Sequence, residues 1–250
     1  MVGPIERYLL DKIRTDGSIH MTLIDPEKAT AEGAAKVAES SKNSGTAAIM
    51  IGGSTVASQK HLDDVVKAIK AVIEIPTILF PGNVNGISGH ADAIWFMSML
   101  NSADPYFLMG AQILGAPYIK KLHIEPLSMG YVIVGDGGMA GKVGRAIAVP
   151  YNNPALAVAH ALAGQYLGMR FIYLEGGSGA VIPVPPNMIT AVKQAIDVPL
   201  IVGGGIRTKE QALSAASAGA DIIVTGNLTE SRDANERISQ IITAIKHPRA

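Results

Sequence analysis

Residues 200–227 read LIVGGGIRTKEQALSAASAGADIIVTGN, and this stretch contains one complete structural unit. An apolar run at 200–202 leads into three consecutive glycines, a polar turn, an alanine-rich segment, Gly219 and a second apolar run at 221–225. Thr208, followed three residues later by Gln211, has the form of a capping box, so a helix starts just after the glycines. Strand, glycine loop, helix and strand make a βαβ unit, in which the helix returns the chain across the sheet and leaves the two strands parallel.

Working outward, the same alternation fills the chain. Runs rich in Ile and Val stand at 19–24, 47–51, 77–80, 93–97, 131–134, 170–174, 200–202 and 221–225. Leu62, Val65, Val66 and Ile69 fall at i, i+3, i+4 and i+7, and so do Ile238, Ile241, Ile242 and Ile245, which predicts helices with one apolar stripe facing a sheet. Eight near-continuously apolar strands in 250 residues predict an α/β fold, a modified (β/α)8 TIM barrel forming one domain over 1–250, in preference to an open doubly wound sheet. One crossover is irregular. PGNVNGISGHAD at 81–92 is too short and too rich in Gly and Asn for a full helix, so the third helix is expected to be missing or replaced. The segment 135–149, GDGGMAGKVGRAIAV, has five glycines and no periodicity and reads as a mobile loop after the fifth strand.

Composition narrows the function. Twenty-one Lys and Arg balance 21 Asp and Glu, and no basic block stands out, which argues against nucleic acid as a partner. Without cysteine there is no disulfide framework, thiolate metal site or Cys nucleophile. The N-terminus, MVGPIERYLLDKIRTDG, lacks the apolar run of a secretory signal, so the mature chain is expected to begin there. No run reaches the roughly 18 apolar residues of a spanning helix. A soluble protein is expected, with at most peripheral membrane contact.

Barrel enzymes place their sites where strands end, so the residues after each apolar run are the candidates. They are Asp25-Pro26-Glu27-Lys28, Gly52-Gly53-Ser54, Glu175 with Gly176, Gly177, Ser178 and Gly179, then Gly203-Gly204-Gly205 and Gly226-Asn227. Glycines followed by a helix start bring backbone N–H groups towards an anion, and Gly204, Gly205, Gly226 and Asn227 read as a phosphate cradle. The alternative is that these glycines only let the chain turn. Asp25 and Ser54, at neighbouring strand ends, are candidate oxygen ligands for a hard cation such as Mg²⁺; equally, Asp25 can cap the turn that follows it. Glu175 is placed to accept a proton from a substrate hydroxyl or to hydrogen-bond nearby backbone. Asp63-Asp64 reads as a solvated helix face, and the six histidines lack metal-ligand spacing. Trp95, Phe96, Met97 and Met99 read as barrel core, some of them lining an apolar channel. An aldolase-type or isomerase barrel would need a Schiff-base lysine or a base pair, for which Lys28 is the nearest lysine. A non-catalytic phosphate binder would leave Asp25 and Glu175 without a task.

TLIDPEK at 22–28, IGGST at 51–55, WFMSMLNS at 95–102, YLEGGSG at 173–179, VGGGIR at 202–207 and IIVTGN at 222–227 together resemble the geranylgeranylglyceryl phosphate synthase family, in order along the whole barrel. The resemblance implies a Mg²⁺-dependent prenyltransferase that joins geranylgeranyl diphosphate to sn-glycerol 1-phosphate in archaeal ether-lipid synthesis, on a barrel lacking its third helix. It implies Asp25 and Ser54 as Mg²⁺ ligands and Glu175 as the group that orients and deprotonates the attacking hydroxyl. Tyr173, Leu174, Glu175, Gly176, Gly177, Ser178 and Gly179, with Gly204, Gly205, Gly226 and Asn227, are implied to hold the glycerol phosphate. A dimer or hexamer is implied as well. Cytoplasmic work is expected because one substrate is soluble and the product is not. Trp95 beside Phe96 is a candidate stop for the prenyl chain, and a related bacterial branch uses a longer donor.

Overall fold

The computed structural model describes residues 2–53, 58–226 and 234–246. Eight parallel strands close on themselves in sequence order: β1 Ile19–Ile24, β2 Ala48–Ile51, β3 Thr77–Leu79, β4 Ala93–Met99, β5 Glu125–Ile133, β6 Phe171–Glu175, β7 Leu200–Gly203 and β8 Ile222–Thr225. The barrel closes through β1 and β8, with Thr22 opposite Thr225. Around it lie α1 Pro4–Asp16, α2 Ala31–Asn43, α3 Gln59–Lys70, α4 Ala111–Leu122, α5 Gly138–Val143, α6 Pro154–Tyr166, α7 Pro186–Ala195, α8 Lys209–Ser217 and α9 Ala234–Ile245.

Period-two alternation sorts each strand between an inner and an outer layer. Met21, Met50, Trp95, Phe171, Ile201 and Val224 meet inside the barrel. Outside, Ile49, Ile51, Leu79 and Ile94 pack with the apolar stripe of α3, while Val132, Leu174, Val202 and Ile223 pack beneath α6 to α9. The two helical stripes expected from spacing are buried as expected, and Thr208 with Gln211 forms the capping box at the start of α8.

One end of the barrel is closed by α1. Its Leu9 enters the inner core, its Tyr8 hydroxyl donates to the Ala47 carbonyl at 2.9 Å, and the Glu125 carboxylate accepts from the Ile5 and Glu6 N–H groups at 2.8 and 2.9 Å. Ala47 and Glu125 mark strand beginnings, so the opposite end, where the strands finish, is the open mouth.

Between β3 and β4 there is no α-helix, only a 3-10 turn at Val84–Gly86. The crossover is anchored to α3 instead. Gln59 Nε2 donates to the Ile87 carbonyl at 2.9 Å, and the buried Ser88 hydroxyl donates to Asp63 Oδ1 at 2.5 Å. The reading of Asp63 as merely solvated is thereby corrected: its carboxylate fastens the segment that stands in for a helix. β5 begins at Glu125, six residues before the expected run, because Pro126, Ser128 and Gly130 interrupt its hydrophobic pattern while its pairing with β4 runs from Ala93–Glu125 to Met99–Tyr131. The segment after β5 is not wholly irregular, since it contains α5.

Trp95 is 1% exposed and meets Phe171 edge to face, with ring centroids 5.1 Å apart. Phe96, the next residue, turns to the outer layer. Trp95 is therefore a central core residue, and Trp95→Ala is expected to lower unfolding stability by about 3–5 kcal/mol, measured by urea titration. A loss within experimental error would show that the inner core does not depend on it.

Candidate functional site

Glu175 is the last residue of β6, and alternation turns it and Tyr173 inward while Leu174 turns outward. Its carboxylate is buried and fully engaged. Oε1 accepts from the Gly177 N–H at 2.6 Å, Oε2 accepts from the Tyr131 hydroxyl at 3.1 Å, and the Tyr173 hydroxyl adds to the field that favours the charged carboxylate. Burial raises the Glu175 pKa above the ordinary carboxylate value, opposed by the hydrogen bonds from Gly177, Tyr131 and Tyr173. The Tyr131 and Tyr173 hydroxyls are driven well up, first by burial and then by the neighbouring Glu175 charge, so both remain donors. Phe80 completes the group, stacking on Tyr173 at 5.7 Å and meeting Tyr131 edge to face at 5.6 Å.

Two glycines make this arrangement possible. Gly204 has φ +84°, and a Cβ there would press on the Gly177 nitrogen and come within 2.6 Å of Glu175 Oε1. Gly177 has φ +99°, and a Cβ there would strike the Gly137–Gly138 backbone at 2.5 Å. The loops after β5, β6 and β7 thus meet backbone to backbone, which only side-chain-free residues permit.

These groups line the polar end of a cavity of about 950 Å³. Asp25, Tyr173, Glu175, Ser178 and Gly179 border it, as do Gly204, Gly205 and Gly226. Gly176 and Gly177 form the turn under Glu175, and the Leu174 side chain is packed between sheet and helices with Val132 and Val202, away from the cavity. Ser54 and Asn227 lie outside the described residues. Asp25 Oδ1 accepts from the Glu27 N–H at 3.1 Å, so it caps its turn, and it also faces the cavity. The turn is tied down by His61, whose Nε2 lies 2.8 Å from the Pro26 carbonyl and 3.2 Å from that of Ala29.

Sequence reading singled out neither Tyr131 nor Arg207, and both line the cavity. Arg207 stands at the end of VGGGIR, beside the glycines already singled out, and with Lys28 adds positive charge to the cavity lining. Tyr131 was visible only as part of a strand. From this mouth the cavity continues past Phe80 to the outside of β4, where Ile87, Ile94, Phe96, Gly115 and Ile119 make its wall apolar. That arm occupies the place left by the absent helix. Among the described residues no group of three His, Cys, Asp or Glu side chains is placed to hold a metal, and no helix is long and apolar enough to cross a membrane.

Fold and site together define a (β/α)8-barrel protein with one continuous cavity, polar at the barrel mouth and apolar beyond it. Residues 11–246 match the PcrB family, and the chain belongs to that family. A geranylgeranylglyceryl phosphate synthase of Thermofilum pendens is 51% identical over 98% of this chain and 96% of its own length, and one of Pyrococcus furiosus is 54% identical over 92% and 91%. A crystal structure of (S)-3-O-geranylgeranylglyceryl phosphate synthase from Thermoplasma acidophilum, in complex with sn-glycerol-1-phosphate, superposes with a TM-score of 0.94 at 41% identity, covering 98% of this chain and 99% of that one.

Because burial favours the neutral acid, ionised Glu175 weakens the fold increasingly as pH rises from the unfolded carboxylate pKa of about 4.3 towards the higher folded value. Glu175→Gln removes that burden. The variant's melting temperature relative to wild type is expected to be higher at pH 7 than at pH 4; a difference independent of pH would mean that the carboxylate is not desolvated.

Proposed function

We propose that this chain joins geranylgeranyl diphosphate to the primary hydroxyl of sn-glycerol 1-phosphate, giving geranylgeranylglyceryl phosphate and diphosphate. The enzyme class, a prenyltransferase, follows from its family and its near full-length relatives. The observation that carries the substrate reading is the shape of the cavity: a buried carboxylate beneath a glycine-lined polar mouth, with an apolar arm leading directly from it.

The polar end suits glycerol phosphate, with the Gly204 and Gly205 backbone and Arg207 meeting the phosphate and Glu175 beneath the hydroxyl. The allylic carbon–oxygen bond breaks with its electron pair passing to diphosphate, the glycerol oxygen bonds to that carbon, and the hydroxyl proton passes to Glu175. A carboxylate with a raised pKa is a better base than an exposed one, and the hydrogen bonds from Gly177 and Tyr131 keep it aimed. Its two tyrosine partners remain protonated, so the proton's destination is the carboxylate. Phe80, Tyr131 and Tyr173 form an aromatic cluster beside Glu175 whose ring faces would favour positive charge growing on the prenyl carbon and which helps to exclude water from it. The apolar arm takes the prenyl tail, where each buried CH₂ contributes about 0.8 kcal/mol before ordering costs.

Asp25 fits a Mg²⁺ that arrives with diphosphate, since Mg²⁺ takes one or two carboxylates plus substrate phosphates and not a full protein cage. Ser54 is its proposed companion. Bound there, the ion would offset the charge gathering on the leaving diphosphate.

Purified protein incubated with Mg²⁺, sn-glycerol 1-phosphate and geranylgeranyl diphosphate is expected to yield a prenylglyceryl phosphate in the organic extract by mass spectrometry, and EDTA to abolish it. No product from this or a longer donor, with folded protein, would overturn the reading. Glu175→Gln is expected to lower kcat by roughly 10²–10⁴-fold with a smaller change in KM for glycerol phosphate; a raised KM with kcat unchanged would make Glu175 a binding residue only.

A further inference from the structure

We propose that the outer face of α4 docks this protein on an anionic lipid bilayer. The inner side of α4 forms the wall of the apolar arm through Gln112, Gly115 and Ile119. Its outer side is apolar as well. Ile113 is 65% exposed, Tyr118 62%, and Met109, in the π-helical turn Tyr106–Gly110 that leads into the helix, 60%; Leu114 and Leu122 are exposed beside them. A surface helix ordinarily presents charged residues to water, and one that is apolar on both sides is in contact with something other than water.

Charge identifies the occupant. The chain as a whole is neutral, yet residues 106–124 contain no Asp or Glu, while the last turn of α4 carries the exposed Lys120 and Lys121. Apolar side chains ending in a pair of lysines match a bilayer interface, with the former entering the acyl boundary and the latter meeting anionic headgroups. The choice of a bilayer rests on the prenyl-transfer reading, in which both the long donor and the product are lipids. Only the thickness of α4 would then separate the bilayer from the arm that receives the prenyl tail.

The test is flotation of the full chain with vesicles of phosphatidylcholine alone or mixed with an equal part of phosphatidylglycerol, at low and high salt. Wild type is expected to float with the anionic vesicles and to be released by salt. Lys120→Gln/Lys121→Gln should bind roughly 25-fold more weakly, about 5-fold for each lysine. Ile113→Ser/Tyr118→Ser should not float at all. Wild type that ignores both vesicles, or an Ile113→Ser/Tyr118→Ser variant that floats like wild type, overturns the proposal. So does a wild-type oligomer, seen by sedimentation velocity, that this variant dissociates, because a second copy would then cover the face. Turnover with geranylgeranyl diphosphate dispersed in detergent, without vesicles, separates the two readings: turnover without flotation overturns the surface alone, and flotation without turnover supports the surface while overturning the reaction.

Discussion

The rest of the structure depends on how the bare outer side of β3 and β4 is covered. A parallel barrel is stable only if its outward-facing strand residues are buried, and the usual cover is one helix per crossover. Here the crossover at 80–92 is too short to form that helix. What covers the strands is assembled from neighbours: Ile87 and Ala91 from the crossover, α3 gripping it through Gln59 and Asp63, and α4 leaning in with Ile119. A helix would have filled this space; the substitute leaves a groove. The apolar arm is therefore a consequence of a deleted element, and it joins the mouth because β4 is at once part of the barrel and the wall of the groove, with Trp95 and Met97 on one side and Ile94 and Phe96 on the other.

The polar end follows a different constraint, that of bringing three loops within backbone contact. Gly138, Gly177 and Gly204 come from the connections after β5, β6 and β7, and each stands where a Cβ would press on another loop's backbone. Backbone amides are thereby concentrated around Glu175. A carboxylate this deeply buried is expensive to ionise, and the Gly177 N–H with the two tyrosine hydroxyls offsets part of that cost. Packing and acid–base character are here one property, since a side chain at Gly204 would displace the same oxygen that Gly177 holds.

Much of this was legible in sequence because it is written in local pattern. Short, largely apolar runs mark β1, β2, β7 and β8 to within a residue, and the short, glycine-rich 81–92 segment announces the missing helix. Period two also carried a signal that Leu174, between Tyr173 and Glu175, turns the opposite way. What stayed hidden depends on register. That Tyr131 stands beside Tyr173 and reaches Glu175 follows from the β5–β6 pairing, which no local pattern reports. Asp63 and His61 share one helix and hold two different loops, Asp63 through Ser88 and His61 through the carbonyls of Pro26 and Ala29, contacts made across the fold. His20 is likewise no ligand: it is buried between the Thr46 and Thr225 hydroxyls, and burial lowers its pKa to about 3, so it is neutral and joins β1 to β8.

The two ends of the cavity impose opposite demands on water. A phosphate and a carboxylate are held well by oriented amides and cations, whereas a prenyl tail gains only where water is absent. Phe80, Tyr131 and Tyr173 stand at the boundary, in mutual ring contact within 5.7 Å, and each can satisfy one side without exposing the other. The Tyr131 hydroxyl donates to Glu175, and both tyrosines line the cavity. Replacing Tyr131 by phenylalanine would preserve the apolar side while removing a hydrogen bond that favours ionised Glu175. The pKa of the carboxylate would then rise further. The basicity of the carboxylate thus depends on residues whose other face belongs to the apolar region, which is why the polar and apolar halves of this site act as one.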